Sequence, residues 1–128
     1  MITVSIHNFG KYPVSPKKIR ERVQKTLTNN GITSDCEAAV ALVSREKMKE
    51  YVDEYYKDGE DHPVLAFPTT ETKGSFTFPP DNILHIGEII ISYPWVKDEA
   101  NKTGKLVEDI VLDLAEHACL HLVGIHHD

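Results

Sequence analysis

The chain has 128 residues, 41% hydrophobic and 27% charged, with a formal net charge of −6 at pH 7. That length supports one core without staples, and the balance is that of an ordinary soluble globular domain. The acidic excess excludes a strong, general grip on nucleic acid, and no apolar run approaches the ~18 residues of a membrane span. The N-terminus MITVSIHNFG lacks the charged and apolar regions of a signal peptide, so a cytoplasmic protein without membrane partners is expected.

Ile2, Val4 and Ile6 alternate as in a half-buried strand. Ser15-Pro16 then caps and opens a helix, with Ile19, Val23 and Leu27 on one stripe and Asn30-Gly31 stopping it. Lys17, Lys18, Arg20, Arg22 and Lys25 crowd this segment, whose one acid is Glu21. They form either a solvated helix face or a patch that contacts phosphates. Ala38 to Val43 is continuously apolar, as in a strand covered on both faces.

Ser44 can cap a second helix in which Met48, Tyr51, Val52 and Tyr55 share a side. Val64 to Phe67 reads as a short strand ended by Pro68. Thr69 to Ile83, rich in Thr, Gly and Pro, reads as a functional loop. Ile86 to Ser92 is another strand, and within it Glu88 is an acid flanked by residues that want burial. A buried carboxylate is costly unless paired. A role at a site is therefore expected for Glu88, orienting a ligand imidazole or taking a proton from water, against the plainer reading of a side chain that faces solvent.

Pro94 opens a short helix that ends at Gly104, and a long amphipathic helix runs from about Lys105 to Val123. The order β-α-β-α-β-β-α-α implies a single α+β domain over residues 1–128, a small mixed sheet of about four strands with helices packed on it. Cys36 and Cys119 stand outside any C-x-x-C pair and are expected to be buried free thiols.

Four of the seven histidines lie in the final HACLHLVGIHHD. His117 and His121 are four apart, so on a helix their imidazoles share a face and can grip one ion. Gly124 can end that helix in the left-handed conformation and let the chain bring a third imidazole back. Three neutral nitrogen ligands with a fourth position left to water form the ligand set of a catalytic zinc. Ile110, Leu114 and Ala118 share the histidine face, which predicts imidazoles turned toward the body of the domain. The spacing also occurs in the metzincin protease signature H-E-x-x-H-x-x-G-x-x-H, but Ala118 stands where that signature has its glutamate base.

HACLHLVGIHH resembles the H-G-x-L-H-L-x-G-Y-D-H signature of the YbeY family of bacterial rRNA maturation factors, which are metal-dependent endoribonucleases. PVLAFP (Pro63 to Pro68) is similar to the family's D-V-L-S-F-P strand, and GEIIIS (Gly87 to Ser92) to its G-D-I-x-I-S segment. The likeness is clearest from Val64 to His127. It implies that His117, His121 and His127 hold one Zn²⁺ per chain, with Ala118 in place of a glycine and His126 in place of an aspartate. It also sets Glu88 where the family has an aspartate. The family's arginine upstream of the V-L-S-F strand, thought to serve catalysis, is matched by Tyr56 with Lys57 beside it, so its role is lost or moves to Lys57. A lysine neutralises a phosphate without the bidentate fork of a guanidinium. The threonine-aspartate before the strand is His62-Pro63 here.

The resemblance implies a zinc-dependent single-strand endoribonuclease in rRNA processing and ribosome biogenesis. Its partners would be precursor rRNA, the ribosome and its small-subunit proteins, with Lys17, Lys18, Arg20, Arg22 and Lys25 contacting RNA phosphates. The alternatives are a metal-dependent hydrolase of another substrate, metalloprotease-like, and a non-catalytic ribosome-assembly module stabilised by zinc.

Overall fold

Parallel neighbours in a sheet need a crossover rather than a tight turn, and the chain supplies one at its first opportunity. The structure, a computed structural model, describes residues 1–68 and 84–127, with side chains through Gly124. β1 (Ile2–Asn8) leads through α1 (Pro16–Asn29) to β2 (Cys36–Val43), and α2 (Arg45–Tyr55) follows. β3 (Val64–Pro68), β4 (Leu84–Ser92), α3 (Tyr93–Thr103) and α4 (Val107–His127) complete the described elements. The sheet order is β1-β2-β4-β3, with β1, β2 and β4 mutually parallel and β3 antiparallel to β4 at the end. The mixed four-stranded α+β arrangement expected from the sequence is present. The expected loop from Thr69 to Ile83 lies outside the described residues.

Local chemistry accounts for the boundaries. The Ser15 hydroxyl accepts from the Lys18 N–H at 3.2 Å, and Pro16 fills the first helical turn, where its missing N–H costs nothing. The Ser44 hydroxyl does the same for Lys47 at 3.1 Å. Gly104, at φ 77°, ends α3 in the left-handed conformation that glycine adopts without strain.

Alternation along β2 splits the interior between the two faces of the sheet. Ala38, Val40 and Leu42 join α1 and α4 through Ile19, Val23, Leu27, Val111, Ala115 and Leu122. Ala41 and Val43 turn to α2, meeting Met48 and Val52 with Leu65, Phe67 and Ile90. Cys36 and Cys119 are both buried and free, as expected. Burial raises both thiols, Cys119 to about 12.

Gly87 fixes how closely α4 approaches the β3 end of the sheet. At φ 147° it holds a conformation that side chains rarely adopt. A Cβ there would lie 2.4 Å from the Phe67 carbonyl oxygen and 3.2 Å from Leu122 Cδ2. Only the missing side chain lets β3 pair with β4 while α4 closes over both.

Two expectations for α4 are corrected. The helix begins at Val107 and continues past Gly124 to His127, instead of stopping at that glycine. One glycine costs a helix only ~1 kcal/mol relative to alanine, too little to end a 21-residue helix by itself. His117 and His121 are also exposed, lining an open cleft and not buried in the body of the domain. α4 buries Val111, Ala115, Ala118, Cys119 and Leu122, and the histidines flank that stripe.

Candidate metal centre

α4 brings His117 and His121 together as the i, i+4 spacing requires, with ring centroids 5.0 Å apart and planes at 84°. Among the described residues neither imidazole takes a hydrogen bond or an ion pair. Both open into a pocket of about 470 Å³, which is also lined by Ala118, by Val64, Leu65, Ala66 and Pro68 of β3, and by Tyr56 and His62. Val64 and Ala66 alternate with Leu65 and Phe67, which pack under α2. The pocket therefore lies on the α4 side of the sheet, at its β3 end.

Two unpartnered imidazoles on one helix face supply two neutral nitrogen donors with the spacing a metal needs. A third donor is required, and among the described residues no group of three or more His, Cys, Asp or Glu is placed to hold an ion. The side chain of His127, the ligand implied by the resemblance, lies outside the described residues. Ala118, buried at 2% exposure, sits between the pair with no acid to offer. Glu116 is turned away, held by Arg22 at 3.0 Å across the seam with α1.

The structure does not bring Glu88 to this pocket. Its register partners are Phe67 and Ala39, and, two residues before Ile90, it shares the face of the strand that Ile90 turns to α2. Glu88 is therefore on the opposite face of the sheet from α4, and it is exposed. The apolar flanks that suggested burial belong to the strand's other side or lie further toward its C-terminal end. Lys57 does not line the pocket either. It is the left-handed residue at φ 54° that closes α2, its N–H donating to the Val52 carbonyl at 2.7 Å, and its neighbour Tyr56 lines the pocket instead.

The basic helix is largely occupied. Lys18 Nζ reaches Glu108 at 3.0 Å, and Arg22 bridges Asp113 at 3.2 Å and Glu116 at 3.0 Å. Arg20 Nε donates to the Val4 carbonyl at 3.3 Å. Lys17 and Lys25 stay exposed, with no ion pair among the described residues. Two of the five basic residues, Lys18 and Arg22, thus belong to an interhelical seam, because α4 contributes acids facing α1 that a reading of α1 alone does not show.

Sequence reasoning passed over His62 as a site residue. Its Nε2 lies 2.9 Å from Asp58 Oδ2, and its ring centroid is 5.3 Å from that of Tyr56. The only available signals were the Asp-x₃-His spacing and the replacement of the family's threonine by a histidine.

The fold and site define an α+β domain whose last helix presents paired imidazoles to a pocket at the β3 end of a mixed four-stranded sheet. The chain matches the family model described as "Endoribonuclease YbeY" over residues 6–128, and it belongs to the YbeY family. It is 30% identical over 121 residues to an endoribonuclease YbeY of Dehalococcoides mccartyi, spanning 89% of this chain and 76% of that one. It is 32% identical over 114 residues to its counterpart in a Sulfurihydrogenibium species, covering 88% and 67% of the two chains. A solution structure from Thermotoga maritima shares the fold, with a TM-score of 0.59 at 21% identity over 94% of this chain and 71% of that one.

Proposed function

We propose that the chain is a zinc-dependent single-strand endoribonuclease of rRNA processing and ribosome biogenesis, forming one metal-hydrolase domain over residues 1–128. The observation that carries this reading is the His117–His121 pair, without polar partners among the described residues, at the mouth of a pocket in a YbeY-family chain. His127 is proposed as the third ligand of a single Zn²⁺ per chain. Zinc held by three imidazoles supplies a Lewis acid for a phosphoryl oxygen and brings a water pKa to about 7.

The protein's own contribution is to leave space beside the ligands. The pocket is open, wide enough for a phosphodiester, and walled by β3. Lys17, Lys25 and Arg20, which have no ion pair among the described residues, are the cations of α1 proposed to meet RNA phosphates, which position a strand without reading its sequence. Precursor rRNA, the ribosome and small-subunit ribosomal proteins are the proposed partners, in the cytoplasm. Among the described residues no helix is long and apolar enough to cross a membrane. A metalloprotease is disfavoured, since Ala118 replaces the glutamate base and Arg22 holds the neighbouring Glu116.

The test pairs metal analysis of purified protein with cleavage of a structured RNA. About one zinc per chain and cleavage abolished by chelation and restored by zinc are expected. Metal-loaded protein that leaves RNA intact would overturn the enzymatic reading and favour a zinc-stabilised assembly module.

A further inference from the structure

His62 lines the histidine pocket together with α4 and stands on the segment between α2 and β3. That segment is pinned at both ends. Lys57 and Tyr56 N–H groups close α2 on the Val52 carbonyl, and the Pro63 carbonyl accepts from Ser92 N–H at 2.9 Å. Between the anchors, Asp58 Oδ1 accepts the Glu60 N–H at 2.9 Å, while its Oδ2 faces His62 Nε2 at the same distance. The Glu60 N–H first, and then His62, hold the Asp58 carboxyl below the usual carboxylate range. An ionised carboxylate only accepts, so the proton in the shared bond belongs to Nε2. In the neutral ring Nδ1 then carries a lone pair, and among the described residues Nδ1 has no partner. His62 does not join the His117–His121 pair as a ligand group, since no three such residues are placed for one ion.

We propose that His62, oriented by Asp58, is the general base of the pocket, taking the proton of the hydroxyl that attacks an RNA phosphodiester lodged between it and α4. The oxygen of that hydroxyl, from water or from the adjoining ribose, forms the new bond to phosphorus. Its proton passes to His62 Nδ1, the P–O bond to the departing ribose oxygen breaks, and that oxygen takes a proton from solvent. Asp58 is a positioning residue, because it fixes which ring nitrogen is free. The inference builds on the endoribonuclease reading, and it assigns a base that Ala118, Glu116 and Glu88 do not provide.

The experiment compares metal-loaded wild type, His62→Gln and Asp58→Asn in RNA cleavage, metal content, thermal melting and imidazole ¹⁵N spectra. His62→Gln should lower kcat by about 10²–10⁴-fold with KM and metal content near wild type. In Asp58→Asn the retained oxygen keeps the Glu60 N–H, so the new amide donates to Nε2 and forces the proton onto Nδ1. That variant should keep its metal and fold, lose kcat in the same direction, and show the ring's protonated nitrogen switched from Nε2 to Nδ1. Wild type that cleaves RNA while His62→Gln retains full kcat overturns the base alone. Metal lost from His62→Gln makes His62 a ligand and also overturns it, as does a wild-type His62 protonated on Nδ1. Wild type that binds metal and never cleaves RNA overturns the endoribonuclease reading together with this one. Cyclic or linear phosphate ends on the product identify ribose or water as the attacking hydroxyl, and either accords with the proposal.

Discussion

The seam between α1 and α4 and the pocket at the β3 end are both rich in polar side chains, yet the chain treats them in opposite ways. In the seam Lys18 and Arg22 each meet acids of α4 within 3.2 Å. In the pocket His117 and His121 face open space without a hydrogen bond among the described residues. Both regions draw on α4, on different sides of its buried stripe. Charge density singles out the seam, whereas incomplete satisfaction singles out the pocket. Imidazoles that the fold leaves without protein partners on one helix face stay available as metal donors.

The most direct way to break the comparison is to remove an imidazole. His121→Ala should reduce bound metal from about one per chain to near none, since two remaining donors cannot hold a catalytic zinc. Metal content equal to wild type would empty the pocket of its proposed role. Within the C-terminal pair, His127→Ala should lose metal and His126→Ala should retain it; the reverse result would displace the register implied by the family signature.

Gly87→Ala attacks the pocket from behind. The added methyl meets the Phe67 carbonyl oxygen at 2.4 Å in a backbone conformation that alanine avoids. Strain of this kind costs about 1–3 kcal/mol, and the close contact adds to it. The melting temperature should fall by several degrees, and the β3 amides should exchange faster than those of α1. Unchanged melting would mean that β3 and α4 have slack the geometry does not show.

The contrast also explains what the sequence made legible. Period-two and helical patterns identified each described element, because Val40, Leu42, Ile89 and Ile91 must be buried whatever the partners are. The i, i+4 histidines were readable because helix geometry alone joins them. Glu88 was misplaced because its neighbours' burial was assigned to it, although strand alternation sends it to the other face. The pairing of Lys18 and Arg22 was not legible in the basic helix because their acids lie about ninety residues away on α4, as the 93-residue separation of Ser15 and Glu108 illustrates. His62 was passed over because its partner and its pocket become adjacent only once α2, β3 and α4 have packed.

Arg22→Ala tests whether the seam is structural. Its guanidinium is 32% exposed and its partners more so, so losing both bridges should cost no more than about 1 kcal/mol. Metal content should stay constant, and so should the salt dependence of RNA binding. A flatter salt slope in Arg22→Ala would show that the arginine leaves its acids for phosphates, since each lost phosphate contact removes released counterions. The same measurement on Lys17→Ala with Lys25→Ala should flatten the slope.

The smallest effect expected is in the pH dependence of that seam. Glu108 receives the Lys18 ammonium at 3.0 Å and the Ser15 N–H at 3.0 Å. These two bonds, Lys18 first, hold its carboxyl below the ordinary value of 4.5. A carboxyl depressed in the folded state releases its proton more readily there than in the unfolded chain, so its contribution to stability is present above pH 4.5 and fades as pH falls through the folded value. Glu108→Gln should therefore melt slightly below wild type at pH 7, with the gap closing in acid. A gap that persists unchanged well below pH 4.5 would assign the difference to the shape of the side chain rather than to its charge, and the seam would then owe little to this ion pair.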